Sequence, residues 1–391
     1  MKKERSFRIS IFFNVYFLIF FCFSFFCKKK EDIEGIKEEY LIPINLSNTS
    51  QTSEEPSIVV DLNGNVHLVW VDEEPDNPEI YYAIKPKGKN WTPPARVTYN
   101  GGASRYPCIK IDKNGVIHLV WQQSVFARWV ILYTWRNIGD TWAIPETISI
   151  YGCSSRPILE VDNDLGLHLF WGEGFSPDYY EYFYAYKPNS LKRNGWQIEH
   201  VLTSSIALYK MVVDNKKWVH CVLEIYGESY YIERNPDGRW SDLICLTANT
   251  DWHLSCAPDI AIDRNNLVHV VWAEPARRGI AYTMRKENYE WIPFIICYED
   301  TSWRLCCAKI KIRRNNNIHL IWFNLENIGY GCKEGDVWKE KKVLVNVKKI
   351  SIRGEVVFDI DLEGRLHIIW SGNDTLDYYG RKEIYYVEFK P

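Results

Sequence analysis

Two short segments carry the residue types for gripping a charged sugar: Trp252-His253-Leu254 and Trp303-Arg304-Leu305. An exposed indole can stack on a sugar ring while the adjacent basic group pairs with an acidic substituent; a buried indole would only plug an opening. Arg105 in YNGGASRYP (99–107), Arg156 in YGCSSRP (151–157) and Arg353 in SIRGEVV (351–357) stand in comparable surroundings. A guanidinium fork donates two parallel N–H bonds to a carboxylate, so several forks converging on one point would clamp an acidic ligand. The ordinary alternative for a loop arginine is a solvated or ion-paired surface residue. A third set is acidic. Asp72, Glu173 and Glu274 each follow a tryptophan by two residues, with Gln123 and Asn324 at the same place elsewhere. Glycoside hydrolysis needs two carboxyls at a fixed separation; the alternative is that these groups end a strand and face water or a cation.

What brings these segments together is a repeat. DLNGNVHLVW (61–70) recurs as DKNGVIHLVW, DNDLGLHLFW, DRNNLVHVVW, RRNNNIHLIW and DLEGRLHIIW, with a divergent copy DNKKWVHCVL at 214–223. The seven histidines, His67, His118, His168, His220, His269, His319 and His367, are separated by 51, 50, 52, 49, 50 and 48 residues. An Asp stands six residues before each His except at Arg313, and a Gly- or Asn-rich turn lies between. Around each turn the pattern gives an apolar strand, a His strand ending in Trp, and a third strand such as EIYYAIK. A fourth is expected to begin at Trp91, Trp142, Trp196, Trp240, Trp291 or Trp338. Four strands per unit of about 50 residues predict an all-β, seven-bladed β-propeller of four-stranded antiparallel blades. The last unit lacks its fourth strand, and YLIPINLS (40–47) matches WAIPETIS (142–149), so an N-terminal strand is expected to complete it and remove the open edges. The histidines, spread around a ring, cannot converge on one ion; they are expected to be buried and hydrogen-bonded to neighbouring backbone. No metal centre or cofactor is expected.

The N-terminus has a basic start and an apolar run from Ile9 to Cys27, which reads as an export signal or membrane anchor over 1–30, followed by a linker over 31–38 and the propeller from 39 to 391. Cys27 resembles the lipidated cysteine of bacterial lipoproteins, although Phe25-Phe26 replace the small residues that such a site takes. A 19-residue helix would nearly span the hydrocarbon, so an uncleaved anchor is an equal alternative. Both place the body outside the cytoplasm, at the cell envelope. Residues 1–30 hold seven basic residues and one acidic one, leaving 40 basic against 49 acidic groups, a net of −9, in the rest of the chain. That sign excludes nucleic acid as the expected partner. Eleven cysteines in an exported chain invite disulfides, and Cys256 with Cys306 or Cys307, at matching places in successive repeats, is the one pair expected. Cys108 and Cys221 read as buried free thiols.

The Asp-turn-Gly hairpin ending in Trp resembles the Asp-box repeat of sialidase and BNR-type propellers, with Asp61, Gly64 and Trp70 at wider intervals and His67 inserted. Paired glycines occur once, at Gly101-Gly102, unlike kelch repeats. The resemblance implies the broad superfamily architecture over 56–391. A sialidase-like site would add three arginines clamping a carboxylate, a Tyr-Glu pair and an Asp acid. The expected function is an exported, monomeric, non-catalytic propeller binding a glycan or an extracytoplasmic protein through Arg105, Arg156, Trp252, His253, Trp303 and Arg304. A glycosidase or uronate lyase, and a structural assembly component, are the alternatives.

Overall fold

The computed structural model describes residues 40–391 except 76, 100, 127, 150–151, 177–178, 189–194, 206–207, 248–255, 300–306, 314, 325–326, 347–350 and 374–379. The proposed signal or anchor, Cys27 and the linker therefore lie outside the described residues, as do Trp252, His253, Trp303 and Arg304. Tyr40–Pro391 form seven antiparallel sheets, with strands side by side in chain order except where the N-terminal strand joins the last sheet. Blade 1 is built from Ser53–Val60, Val66–Glu73, Pro78–Lys85 and Ala95–Arg96, and blades 2 to 5 repeat it. In blade 6 the outer strand is split into Val337–Trp338 and Lys342–Asn346, both paired with Asn327–Glu334. First strands of successive blades touch all the way round, from blade 7 back to blade 1, so they form the inner ring of a seven-bladed β-propeller.

The ring closes as the sequence predicts. In blade 7, Ser351–Ile360, Leu366–Asn373 and Glu383–Phe389 are completed by Ile44–Asn45, in register Ile44↔Tyr386 and Asn45↔Tyr385. Leu46 N donates to Ile384 O at 2.8 Å, Ile384 N donates to Ser47 Oγ at 3.0 Å, and Ser47 Oγ donates to the buried Glu383 carboxylate at 2.5 Å. Thr98 makes the same pair of bonds, to Ile80 N and Glu79, in blade 1. A strand from the far end of the chain thus does the work that a covalently continuous strand does elsewhere.

The repeated hairpin has one polar logic. Asp61 Oδ1 accepts N–H bonds from Asn63 at 2.9 Å and Asn65 at 2.8 Å, and the aspartates of blades 2, 3, 4, 5 and 7 do likewise. Three residues after each Asp the backbone is left-handed. Gly64 and Gly364 take this at no steric cost, whereas Leu165 (φ 70°) and Lys217 (φ 65°) each carry strain of about 1–2 kcal/mol. All seven histidines are buried as expected, but their partner is not backbone. Each Nδ1 lies 2.6–2.9 Å from a third-strand tyrosine hydroxyl, as in His67–Tyr82 and His118–Tyr133. Where the Asp is present, its Oδ2 faces Nε2 at 3.2–3.8 Å. A side-chain pair wins over backbone because the neighbouring carbonyls are already used in the sheet ladders.

Apolar burial lies between blades rather than within them. Seven hydrophobic clusters each straddle one joint; in the first, Trp121 and Leu119 of blade 2 meet Val69, Ile80 and Tyr82 of blade 1. The repeat tryptophan thus packs on the preceding blade. A second set of indoles seals the same joints: Trp142, Trp196, Trp240, Trp291, Trp338 and Trp91 lie edge-on to the His-bound tyrosines of the preceding blades. The main fourth-strand ladder starts later, four residues on in most blades, so these tryptophans mark the joint rather than the strand start. At the joint of blades 6 and 7, Phe389 packs on Tyr330 instead, because the closing strand carries Tyr40 where the others carry Trp.

The expected disulfide needs correction. Cys307 is a free thiol, so it does not pair with Cys256, and Cys306 lies outside the described residues. Cys108 and Cys221 are free, Cys221 fully buried and Cys108 half-buried.

Candidate functional site

Four first strands contain the same irregularity. Glu55, Tyr106, Arg156 and Ala257 have φ of 56°, 51°, 50° and 46°, each immediately before a proline, and each lies at a register shift against the second strand. The residue before proline is confined to extended conformations, and a left-handed non-glycine costs about 1–3 kcal/mol. A bulge of this kind re-aims a side chain. Blades 1, 2 and 3 thereby present Glu55, Tyr106 and Arg156 in succession from one equivalent position at the inner ring.

These three residues make a contiguous surface. Tyr106 N donates to Glu55 Oε2 at 2.6 Å, and the Arg156 guanidinium sits 5.2 Å from the centre of the Tyr106 ring. Arg105, next to Tyr106, donates from Nη1 to Glu54 Oε1 at 2.7 Å, is ion-paired through Nη2 with Glu73, and lies 3.8 Å from Glu55 Oε1. Lys382 from blade 7 donates to Glu54 Oε2 at 2.7 Å. All of these groups are half-buried and reach solvent.

The electrostatics are uneven. Burial pushes the Glu55 carboxyl up to about 7, against the pull of the Tyr106 N–H and the Arg105 charge. Burial also raises Glu73, aided by the neighbouring Glu54 carboxyl and opposed by Arg105. At Glu54 burial pulls upward too, but Lys382 and Arg105 outweigh it and hold the carboxyl below its ordinary value. Carboxyls driven apart in this way can hold and release a proton near neutrality, which is the property used in acid–base chemistry and in proton-linked binding.

The inner ring is also crossed by charge. Glu355 of blade 7 meets Lys210 of blade 4 at 3.1 Å and Lys309 of blade 6 at 2.9 Å, while Lys110 pairs with Glu160 at 2.5 Å. Blades 4 and 7 stand on opposite sides of a seven-membered ring, so the Lys210–Glu355 pair spans it. Burial would raise Glu355, but the two ammonium groups overcome it and hold it well below the usual carboxylate range.

Of the arginines singled out in the sequence, the structure brings Arg105 and Arg156 together around Tyr106 and Glu55. Arg105 is engaged by glutamates rather than open as a clamp. Arg304 and the side chain of Arg353 lie outside the description, with the Trp252-His253 and Trp303 segments. Asp72, Glu173 and Glu274 are buried and kept within their own blades. Glu173 accepts from Trp171 Nε1 and Ser154 Oγ at 3.0 Å each, Glu274 accepts from Trp272 Nε1 at 2.9 Å, and Asp72 accepts from Ser53 and Thr49. They tie the repeat tryptophan or the first strand in place, and the structure does not bring them together as a pair. Glu54, Glu55, Glu73, Tyr106 and Lys382 were not singled out in the sequence. The available signal was variation at one repeat position: twelve residues before the His stand Glu55, Tyr106, Arg156, Leu208, Ala257, Cys307 and Glu355, charged or aromatic in four of the seven blades.

No protein-family model matches the chain, and no curated protein matches it. Solved structures do. An ulvan lyase of a polysaccharide lyase family, bound to GlcA(1-4)Rha3S, is similar with a TM-score of 0.58 and 11% identity over 88% of this chain and 95% of that one. The polysaccharide lyase Uly1 gives 0.57 and 11% over 92% and 93%. The NanB sialidase from Streptococcus pneumoniae gives 0.51 and 11% over 90% and 70%. At such identity the likeness is one of fold, and it agrees with the architectural resemblance to the sialidase superfamily.

Proposed function

We propose that this protein is an exported, envelope-anchored propeller that binds an acidic glycan on the face where the first strands begin. The observation that carries this reading is the succession of Glu55, Tyr106 and Arg156 from three equivalent bulges, with Arg105 beside them: an aromatic ring and two guanidiniums at the mouth of the ring. An aromatic face with adjacent cations suits a sugar bearing carboxylate or sulfate. The lead-in segments with Trp252, His253, Trp303 and Arg304 supply further indoles and cations for the same ligand. Export and anchoring rest on the basic-apolar segment 1–30 and Cys27, and fractionation of producing cells with and without that segment tests them.

The binding test is a panel of neutral, uronate and sulfated oligosaccharides on the soluble body, beside a Trp303→Ala, Arg304→Ala double variant of verified fold. Uronate or sulfated sugars should bind, and the double variant should lose at least tenfold in affinity. Retention of full affinity removes Trp303 and Arg304 from the site. Loss in a Tyr106→Ala, Arg156→Ala variant of verified fold is expected in any case, and its absence places the site elsewhere; no binding by any sugar favours a protein partner. A lyase reading is the second possibility, favoured by the Glu55 carboxyl that titrates near neutrality beside Tyr106. Incubation with a polyuronate and detection of an unsaturated uronate end by ultraviolet absorbance decides between binding and cleavage.

A further inference from the structure

Arg105 already holds carboxylates where a ligand's carboxylate would go. Its two terminal nitrogens are directed at Glu54 and Glu73, with Glu55 at 3.8 Å. The groups facing one another here are Glu54 and Glu55 from the first strand of blade 1, Glu73 from its second strand, Arg105 from blade 2, Arg156 from blade 3 and Lys382 from blade 7. Among the described residues, these three carboxylates, fully ionised, balance the three cations. An incoming anion leaves one negative charge in excess in a half-buried cluster, and one proton cancels it.

We propose that Glu54, Glu55 and Glu73 act as a built-in counter-ligand for Arg105, and that a carboxylate or sulfate group of the ligand replaces them with uptake of one proton, taken up by Glu55. This rests on the reading that an acidic glycan binds at this face. Glu55 is the group for this because its structural duty does not need a charge. In blade 2 the corresponding bond, from Arg156 N, is accepted at 3.3 Å by the neutral amide of Gln122. Its position near neutrality fits the task. The sign follows from linkage: binding that needs a protonated Glu55 is strong below about pH 7 and weakens above it, by about tenfold between pH 6 and pH 8.

The test is calorimetric titration of the soluble body with a glucuronate oligosaccharide, and separately with methyl sulfate, a singly charged sulfate ester, at pH 6 and pH 8. Each probe keeps its charge over that range. The wild-type protein should bind both probes about tenfold more tightly at pH 6, with proton uptake detected by comparing buffers of different ionisation enthalpy. Glu55→Gln, which retains an acceptor for Tyr106 N–H, should bind at pH 8 as the wild type does at pH 6 and lose the dependence. Methyl sulfate bound with this dependence and no oligosaccharide binding would leave the proton linkage standing and remove the glycan reading. Persistence of the dependence in Glu55→Gln assigns it to another group such as His253 and overturns the proposal. So does binding of either probe that is insensitive to pH, or the absence of binding by both at pH 6.

Discussion

Replacing Ser47 with Ala should open the ring. Ser47 Oγ donates to the Glu383 carboxylate at 2.5 Å and accepts from Ile384 N at 3.0 Å, and Glu383 is only 4% exposed. A hydrogen bond to a charged group is worth about 1.5–3 kcal/mol and a neutral one about 0.5–1.5 kcal/mol, so the change should cost about 2–4 kcal/mol. The surviving partners of Glu383 are Arg381 at 2.7 Å and Thr49 N at 3.4 Å, which keeps the loss toward the lower end. Thr98→Ala is the matched control, because Thr98 makes the same two bonds in blade 1 but its strand is tethered at both ends by the chain. Urea denaturation gives the energies, and amide exchange locates them. In Ser47→Ala the amides of Leu41 and Leu46, bonded to Leu344 O and Ile384 O, should exchange well before global unfolding, whereas Thr98→Ala should release no segment. Equal destabilisation of both variants, with Leu41 and Leu46 still protected to the level of the core, would refute the idea that the N-terminal strand is the latch.

Two further outcomes follow from the hairpin. His118→Ala removes the partner of Tyr133 and should lower stability by about 1–3 kcal/mol while leaving binding of the glucuronate oligosaccharide intact; loss of binding at unchanged stability contradicts the structural role. His319, whose blade has Arg313 in place of the Asp, is driven down to about 4 by burial and by that arginine. Because the unfolded His ionises near 6.5, this residue removes stability as pH falls from about 6.5 to about 4, by about 2 kcal/mol at pH 5. Arg313→Asp should therefore shrink the difference between urea midpoints at pH 7 and pH 5, even though it gives up the bond from Arg313 to Leu362 O; an unchanged difference sinks this account.

The architecture was legible in the sequence because every joint of the ring poses the same physical problem. Asp61 and its counterparts cap a turn and face a histidine, and that histidine needs a tyrosine from the third strand; the spacing of those residues is fixed by strand length, so it repeats. The tyrosine partner was the part not foreseen, since His67 and Tyr82 lie on different strands and only the pairing His67↔Ile84 sets them close enough for a side chain to reach. The site was less legible for the opposite reason. Glu54 and Glu73 come from two strands of blade 1 and Lys382 from the residue before the last strand of blade 7, and nothing periodic marks them. Arg105 and Arg156 were visible as loop arginines, but the glutamates that occupy Arg105 became apparent only once strands distant in sequence were placed side by side.

Where the repeat loses its polar partners is informative for the same reason. In blades 2, 3 and 5 the repeat indole N–H is satisfied by the residue two positions on: Gln123, Glu173 or Glu274. In blade 1 that residue is Asp72, one methylene shorter, and it bonds to Ser53 and to Thr49 just after the closing strand; Trp70 Nε1 is left without a partner. In blade 7 it is Gly372, and Trp370 Nε1 is likewise unpaired. A buried unpaired N–H costs about 1–3 kcal/mol, and the two losses fall in adjacent blades, Trp70 facing blade 7 and Trp370 facing blade 6. Blade 7 receives the N-terminal strand, and blades 1 and 7 together contribute Glu54, Glu73 and Lys382 to the Arg105 cluster. Closure of the ring and assembly of the charged mouth therefore draw on the same two blades, and releasing the latch should loosen the glutamates that hold Arg105.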